Sequence, residues 1–429
     1  MDRLIRFLDL DDEELQIIND FRPVAERLRE HARAIDLEPE GLPDWYTEQL
    51  QAVQSELKNK LGGDAPDLPV YKQRWYPEDF MQELKEVGIF GAGLPEKYGG
   101  IEFSYWQFIL MSFGLSYYDA GFSVVMGAHA KLAVPPILSF GTEEQKERLV
   151  PPMASGERIG CFALTGPETG SNPAAGRCSY ERGKGGFVLN GGKSWISNAP
   201  IQYYHPDQKL FATTFARDSE GKWSCFVVDV DEAVARGQLE IGKPEHKVGI
   251  RSSPTSTMHF KDCVVAEENL IGDEGAGLLI AFNTLNRCRL FVAAQALAIG
   301  YAAYDEARDF VQDRSSFGRL AENGLVRAHI ADMATKLRAG VHLVKDGAKL
   351  LDSGRTPDEV QQIASEAKVY STEMAEEVCL LALKLHGGNG ITMEYDVNRH
   401  VRDILVTSIY EGPNDVLRQY VIATQAFKN

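Results

Sequence analysis

The chain reads as α+β and mostly α, with a middle small β-barrel or sandwich domain set between an N-terminal helical domain and a C-terminal four-helix bundle. Three observations predict it. Charged helix formers and apolar helical runs fill the chain to about residue 155. Between about 156 and 268, Gly, Thr, Ser, Val and aromatic residues rise, and short runs alternate as strands do. Beyond that point helical periodicity returns in long stretches nearly free of proline. The expected division is an N-terminal helical extension over 1–75, a helical domain over 76–157, a β domain over 158–270 and a helical bundle over 271–429. A chain of 429 residues should hold two or three domains at roughly 150 residues each.

Taken in order, residues 12–60 are rich in charged helix formers until Gly62-Gly63 and a proline-containing stretch to Pro77 break the pattern. Pro77-Glu78-Asp79 opens a helix that closes near Gly88. Loop signals follow at Gly91–Pro95 and Tyr98-Gly99-Gly100, then two apolar helices over about 103–117 and 121–140. Thr142 is placed as an N-cap for a short charged helix. In the middle third, Trp223–Val230 reads as a strand, and Phe187-Val188-Leu189 before Asn190-Gly191-Gly192 predicts a hairpin, because Asn-Gly accepts positive φ. Next comes a long helix over about 276–313. Ile330, Met333, Leu337, Val341, Val344, Ala348 and Leu351 then mark one apolar helical face. Thr356-Pro357-Asp358-Glu359 predicts a capping box, and its helix runs to about His386 before Gly387-Gly388.

The composition excludes several function classes. Acidic residues outnumber basic ones, 62 to 45, giving a net charge of -17 that repels nucleic-acid phosphates. The six cysteines (161, 178, 225, 263, 288 and 379) form no C-x-x-C pair, which argues against zinc and against a disulfide framework; no metal is expected. The N-terminus does not read as a signal peptide, and no apolar run is taken as long enough to span a bilayer. A cytoplasmic protein is expected, or a mitochondrial matrix protein if the source is eukaryotic, with no membrane insertion.

Three segments carry candidate chemistry. Tyr410-Glu411-Gly412-Pro413-Asn414-Asp415 sets one carboxylate before Gly-Pro at the start of the last helix, with Pro413 suited to its first position. Such a carboxylate could reach into a pocket and take a proton; standing alone, the Glu-Gly-Pro tripeptide reads instead as an acidic residue complementing a helix N-terminus. Cys161–Asn172 runs from a strand into a Thr/Gly/Ser turn. That turn is either a polar hairpin loop or a cradle for phosphate or a planar ring. Lys193–Asn198 sets Trp195 and Ser197 two apart, on one face of a strand.

Together and in this order, these segments resemble the acyl-CoA dehydrogenase family over nearly the whole chain from about residue 78. The resemblance implies FAD held between the β domain and the bundle, in a homotetramer or dimer. Leu164-Thr165 through Gly170-Ser171 is similar to the family's A-L-T-E-P-x-A-G-S-D, which implies that Phe162, Leu164 and Thr165 line the flavin. It also implies that Ser171 approaches both cofactor and CoA. Trp195-Ile196-Ser197 resembles W-I-T, where the indole covers the flavin ring. Arg314 through Gly318 resembles R-x-x-F-G, which implies that Arg314 and Phe317 reach the FAD pyrophosphate of a neighbouring subunit. Gly387 and Gly388 match G-G-x-G, and Asp415 joins the implied cofactor set. Leu285–Arg289 resembles L-N-x-x-R, implying substrate contacts from Asn286 and Arg289, with Gly412 beside them.

Tyr410-Glu411-Gly412 matches Y-E-G, which makes Glu411 the base; Cys288 holds the place where some relatives carry it. The implied reaction removes an α-proton and a β-hydride from an acyl-CoA in lipid metabolism, with electrons leaving through electron-transferring flavoprotein. An oxygen-using oxidase of the same fold and a non-catalytic scaffold stay open as alternatives. The chain departs from the family pattern at Gly166, Asn172, Pro173, Ser197, Lys384 and Pro413, and lacks a glutamine near Gly324 and Leu325.

Overall fold

A computed structural model describes residues 8, 10–37 and 75–427. Gly62-Gly63 and the proline-containing stretch before residue 75 lie outside the described residues. Helix α1 (Asp12–Leu37) packs along α3 (Tyr105–Tyr118). The contact is fixed by the Trp106 indole N–H donating to Glu14 Oε1 at 2.6 Å. Between them in sequence lies α2 (Glu78–Glu86), then α4 (Ala120–Phe140) and α5 (Glu143–Ala154). Ser104 and Thr142 cap α3 and α5 with reciprocal capping boxes to Gln107 and Gln145.

Helix α4 differs from the sequence reading in two ways. It passes through a π-turn over Ala128–Ala133 just before Pro135-Pro136, whose missing N–H groups leave the ladder short of donors there. It is also long and apolar enough by composition to cross a membrane, where the sequence reading found no such run. However, 89% of its most apolar window is buried inside the fold, which makes it a core helix.

The middle of the chain is one sheet of eight strands. These are β1 (Arg158–Ala163), β2 (Ser179–Gly183), β3 (Gly186–Ser197), β4 (Lys209–Arg217), β5 (Trp223–Asp229), β6 (Leu239–Ile241), β7 (Thr255–Ala266) and β8 (Leu270–Ile271). Their order is β6-β7-β3-β2-β4-β5-β8, with β1 parallel to β4. The hairpin expected at Asn190-Gly191 is absent. Instead β3 runs straight through these residues with a register shift against β7. The turn falls earlier, where Gly183 and Gly186 pair. Positive φ at Gly191 (123°) serves a bulge rather than a turn. The Asn190 side chain bridges that bulge to Asp262, accepting its N–H at 2.8 Å.

Helix α4 joins the helices to this sheet. His129 sits on its π-turn, accepts the Gly160 N–H at Nδ1 (2.8 Å) and donates Nε2–H to Phe90 O (3.1 Å). Both ring nitrogens are thus used by the neutral imidazole, and burial pulls its pKa down to about 4. Asn198 ends β3 and donates to Val125 O (3.0 Å) and Gly160 O (2.9 Å), tying α4 to two strands at once. Gly160 itself admits the helix, since a Cβ there would stand 2.5 Å from the Ala133 side chain.

The C-terminal part packs α6 (Gly277–Asp313), α7 (Gly324–Asp352), α8 (Gln361–His386) and α9 (Val397–Ile404) into a bundle, followed by the short α10 (Asn414–Leu417). Thr356 and Glu359 do exchange capping bonds. Even so, α8 begins only at Gln361, because residues 357–360 close as a turn. Pro413 caps α10 from outside the helix at ψ 141°, instead of occupying its first position.

Asn198→Ala would remove two buried hydrogen bonds that tie α4 to β1, an expected cost of about 1–3 kcal/mol. Chemical denaturation checks it, and a loss well under 1 kcal/mol would contradict this role for Asn198.

Candidate active site

The site forms where α6 and α8 meet the strap 410–414. Lys368 on α8 is fully buried. Its ammonium donates to Gly412 O and to Asn414 Oδ1, both at 2.8 Å. The amide of Asn414 in turn donates to Thr372 Oγ1 (2.9 Å) and Glu373 Oε1 (3.1 Å). On the other side the Tyr410 hydroxyl donates to Gln295 of α6, whose amide reaches Ala120 O at 2.8 Å. Pinned at both ends, the strap holds Glu411 at φ 55°, a conformation a non-glycine residue rarely adopts unless its surroundings force it.

The Glu411 side chain is half-buried, with one carboxyl oxygen shut away from solvent. Its Oε2 is buried with no hydrogen-bond partner among the described residues. Burial raises its pKa from 4.5 to about 7, against the opposing pull of the Lys368 and Arg289 cations and a hydrogen bond from the Cys288 thiol. Burial also lowers Lys368 to about 7, with the neighbouring Glu411 carboxylate pulling it back up. Arg289 is buried on α6, donates to Asn286 Oδ1 at 2.7 Å and reaches Ser365 Oγ at 3.4 Å. Asn286 passes the chain on to Asp358 Oδ1 at 3.1 Å. A carboxylate poised near neutrality, flanked by cations and dry on one oxygen, is equipped to accept a proton.

The sheet supplies a second group of predicted residues. Ser194 N–H donates to Thr165 O (3.0 Å), and buried Lys193 donates to Leu164 O (2.8 Å). These bonds hold the turn after β1 against the end of β3, bringing Leu164 and Thr165 together with Trp195 and Ser197. Phe162 and Thr165 are half-buried and Leu164 is buried. Trp195 and Ser197 flank buried Ile196, and the Trp195 indole is 66% exposed at φ 62°. A large aromatic face left uncovered beside a hydroxyl and a backbone-rich turn fits a planar ring. Gly166 and Thr169 pair across that turn, and Ser171 stands exposed beyond it.

Other predicted residues lie elsewhere. Arg314 and Phe317 are exposed just past the C-terminal end of α6. Arg289 sits 25 residues earlier on the same helix, about 37 Å away at 1.5 Å per residue. His386 stacks on Phe310 at 4.4 Å, which puts the exposed Gly387 and Gly388 near that same far end. Asp415 is exposed and pairs with Arg418 at 3.5 Å. The chain therefore gathers Asn286, Arg289, Glu411 and Gly412 at one place and Arg314, Phe317, Gly387 and Gly388 at another. Sequence reasoning missed Lys368. The available signal was a single lysine on a face of small residues, Ala364, Ala367, Ser371 and Thr372.

Family models for the acyl-CoA dehydrogenase N-terminal, middle and C-terminal domains match residues 47–157, 161–263 and 275–425. An acyl-CoA dehydrogenase of Bacillus subtilis is 35% identical over 80% of this chain and 88% of its own. CarC, a subunit of the caffeyl-CoA reductase–Etf complex of Acetobacterium woodii, is 34% identical over 82% of this chain and 90% of its own. The structure of an acyl-CoA dehydrogenase from Bacillus anthracis in complex with FAD superposes with a TM-score of 0.77 at 26% identity. It covers 97% of this chain and 67% of that one. The family matches and the shared fold agree: this chain belongs to the acyl-CoA dehydrogenases, the FAD-dependent oxidoreductases that act on acyl-CoA.

Proposed function

We propose that this chain desaturates an acyl-CoA to the 2-enoyl thioester with Glu411 as the base, and passes the electrons to electron-transferring flavoprotein. The observation that carries the reading is the Glu411 carboxyl itself, whose buried Oε2 has no partner among the described residues and whose pKa is lifted to about 7. Phe162, Leu164, Thr165, Trp195 and Ser197 are the residues that would hold the flavin. FAD, when bound there, supplies the acceptor for the hydride that leaves the β-carbon. The chain's own work is to place the α-carbon within reach of Glu411, exclude water and take the α-proton.

Lys368 and Arg289 keep the ionised base accessible in a dry site. Without them burial would lift the carboxyl further and leave too little base at neutral pH. Asn286 and Arg289, locked to one another, give the thioester a rigid wall. Arg314, Phe317, Gly387 and Gly388 stand too far from Glu411 to serve the same cofactor end. Their exposure supports a role against the FAD of a neighbouring subunit, and hence an assembly of two or four copies. The relation to the Etf-complex subunit supports electron-transferring flavoprotein as the acceptor.

Purified protein is expected to be yellow and to bleach when a suitable acyl-CoA is added without oxygen. Glu411→Gln should retain the flavin yet lose bleaching; unchanged bleaching would refute the assignment of the base. In the parent enzyme the proton-accepting form is the carboxylate, so the bleaching rate should rise with pH through about 7. Stopped-flow rates across pH check this, and an acid limb near 4.5 would contradict it.

A further inference from the structure

Lys131 lies on the π-turn of α4 and is only 7% exposed. Its ammonium stands 3.7 Å from the centroid of the Phe108 ring and 5.2 Å from that of Tyr105, both on α3. It ends in space left by Gly93, where a Cβ would come within 2.7 Å of Nζ. Among the described residues it has no hydrogen-bond or ion-pair partner. Two rings repay only part of the cost of stripping water from an ammonium. A leucine or methionine would fill the same volume without that cost.

The surroundings are short of negative charge and reach toward the base through one shared neighbour. Asp352, the carboxylate in electrostatic reach of Lys131, already accepts the backbone N–H groups of Tyr105 and Trp106 at the start of α3. Arg287 adds a second cation, and its Nε is buried without a partner among the described residues. Cys288 is the neighbour that Lys131 and Glu411 share, since its thiol feels both and is hydrogen-bonded to Glu411. Tyr105, under the lysine, has its hydroxyl on Arg287 O and lies within electrostatic reach of Glu411. An unpaired ammonium on α4 and an unpaired guanidinium nitrogen on α6 thus stand one neighbour, Cys288, away from the Glu411 carboxyl.

We propose that the acyl group this enzyme takes carries a carboxylate at its far end and that Lys131 receives that carboxylate. The inference rests on the reading of Glu411 as the base that faces the thioester. With no anion beside it, burial draws the ammonium down to about 7; a carboxylate placed against Nζ would restore its charge. An uncharged acyl chain would instead lay methylenes against an ammonium and leave it dry.

The test mixes the FAD-loaded enzyme anaerobically with succinyl-, glutaryl- and adipyl-CoA, and with butyryl-, pentanoyl- and hexanoyl-CoA of matching carbon number. At least one carboxylated thioester should bleach the flavin about 100-fold more efficiently than its neutral counterpart, the scale of losing a hydrogen-bonded buried charge. Lys131→Met should collapse that ratio by a similar factor, and Lys131→Arg should recover part of it. Binding without turnover is read by flavin spectral shift in Glu411→Gln, where adding Lys131→Met should weaken the dissociation constant for the carboxylated thioester more than for the neutral one. Neutral thioesters matching or outrunning every carboxylated one in the parent enzyme would overturn the role of Lys131 while leaving Glu411 as the base. That comparison needs no variant to fold. Failure of every thioester to bleach the flavin would overturn both.

Discussion

The structure turns on keeping one carboxyl oxygen dry without disabling the group. Moving the Glu411 pKa from 4.5 to about 7 disfavours its ionised form by about 3 kcal/mol. Left to burial alone, the group would stay protonated and could not act as a base. Lys368 and Arg289 approach from two different helices and pull the other way. Neither cation is free to drift: one is fixed to Gly412 O and Asn414 Oδ1, the other to Asn286 and Ser365. The positive φ of Glu411 is the backbone consequence of a strap held at both ends.

The rest of the fold serves that arrangement. Helix α6 spans the bundle and carries Asn286, Cys288 and Arg289 near one end and the loop of Arg314 and Phe317 beyond the other. Helix α4 is tied to the sheet by His129 and Asn198, and to Gln295 of α6 through Ala120 O. The strand ends that present Trp195 and Ser197 are thereby linked to the helices around Glu411 by short runs of hydrogen bonds. Small relative movements of sheet and bundle would misplace the flavin side against the base side, and these bonds oppose them.

Much of this was legible in the sequence, for physical reasons that differ from element to element. The order of helices, sheet and helices follows from apolar periodicity and from long runs without proline, signals that tertiary packing rarely reverses. The site motifs were legible because their glycines and prolines constrain the backbone, as at Glu411-Gly412-Pro413. Asn190-Gly191 misled because a bulge and a turn both ask for positive φ, and only the pairing of β3 with β7 tells them apart. The start of α8 slipped because the Thr356–Glu359 capping bonds can close over a turn as well as over a helix. Lys131 and Lys368 escaped notice since a lysine in a helix ordinarily reads as surface. Their burial exists only once α3, α4, α6 and α8 have come together.

The central claim is that the Glu411 carboxyl holds its proton to near neutrality because it is buried. Infrared difference spectroscopy of the parent against Glu411→Gln, titrated across pH, observes that proton through the carboxyl stretch. A protonated-carboxyl band belonging to residue 411 that disappears around pH 7 is the predicted result. A band already gone a little above the ordinary carboxylate value of about 4.3 would show a solvated side chain and contradict the account.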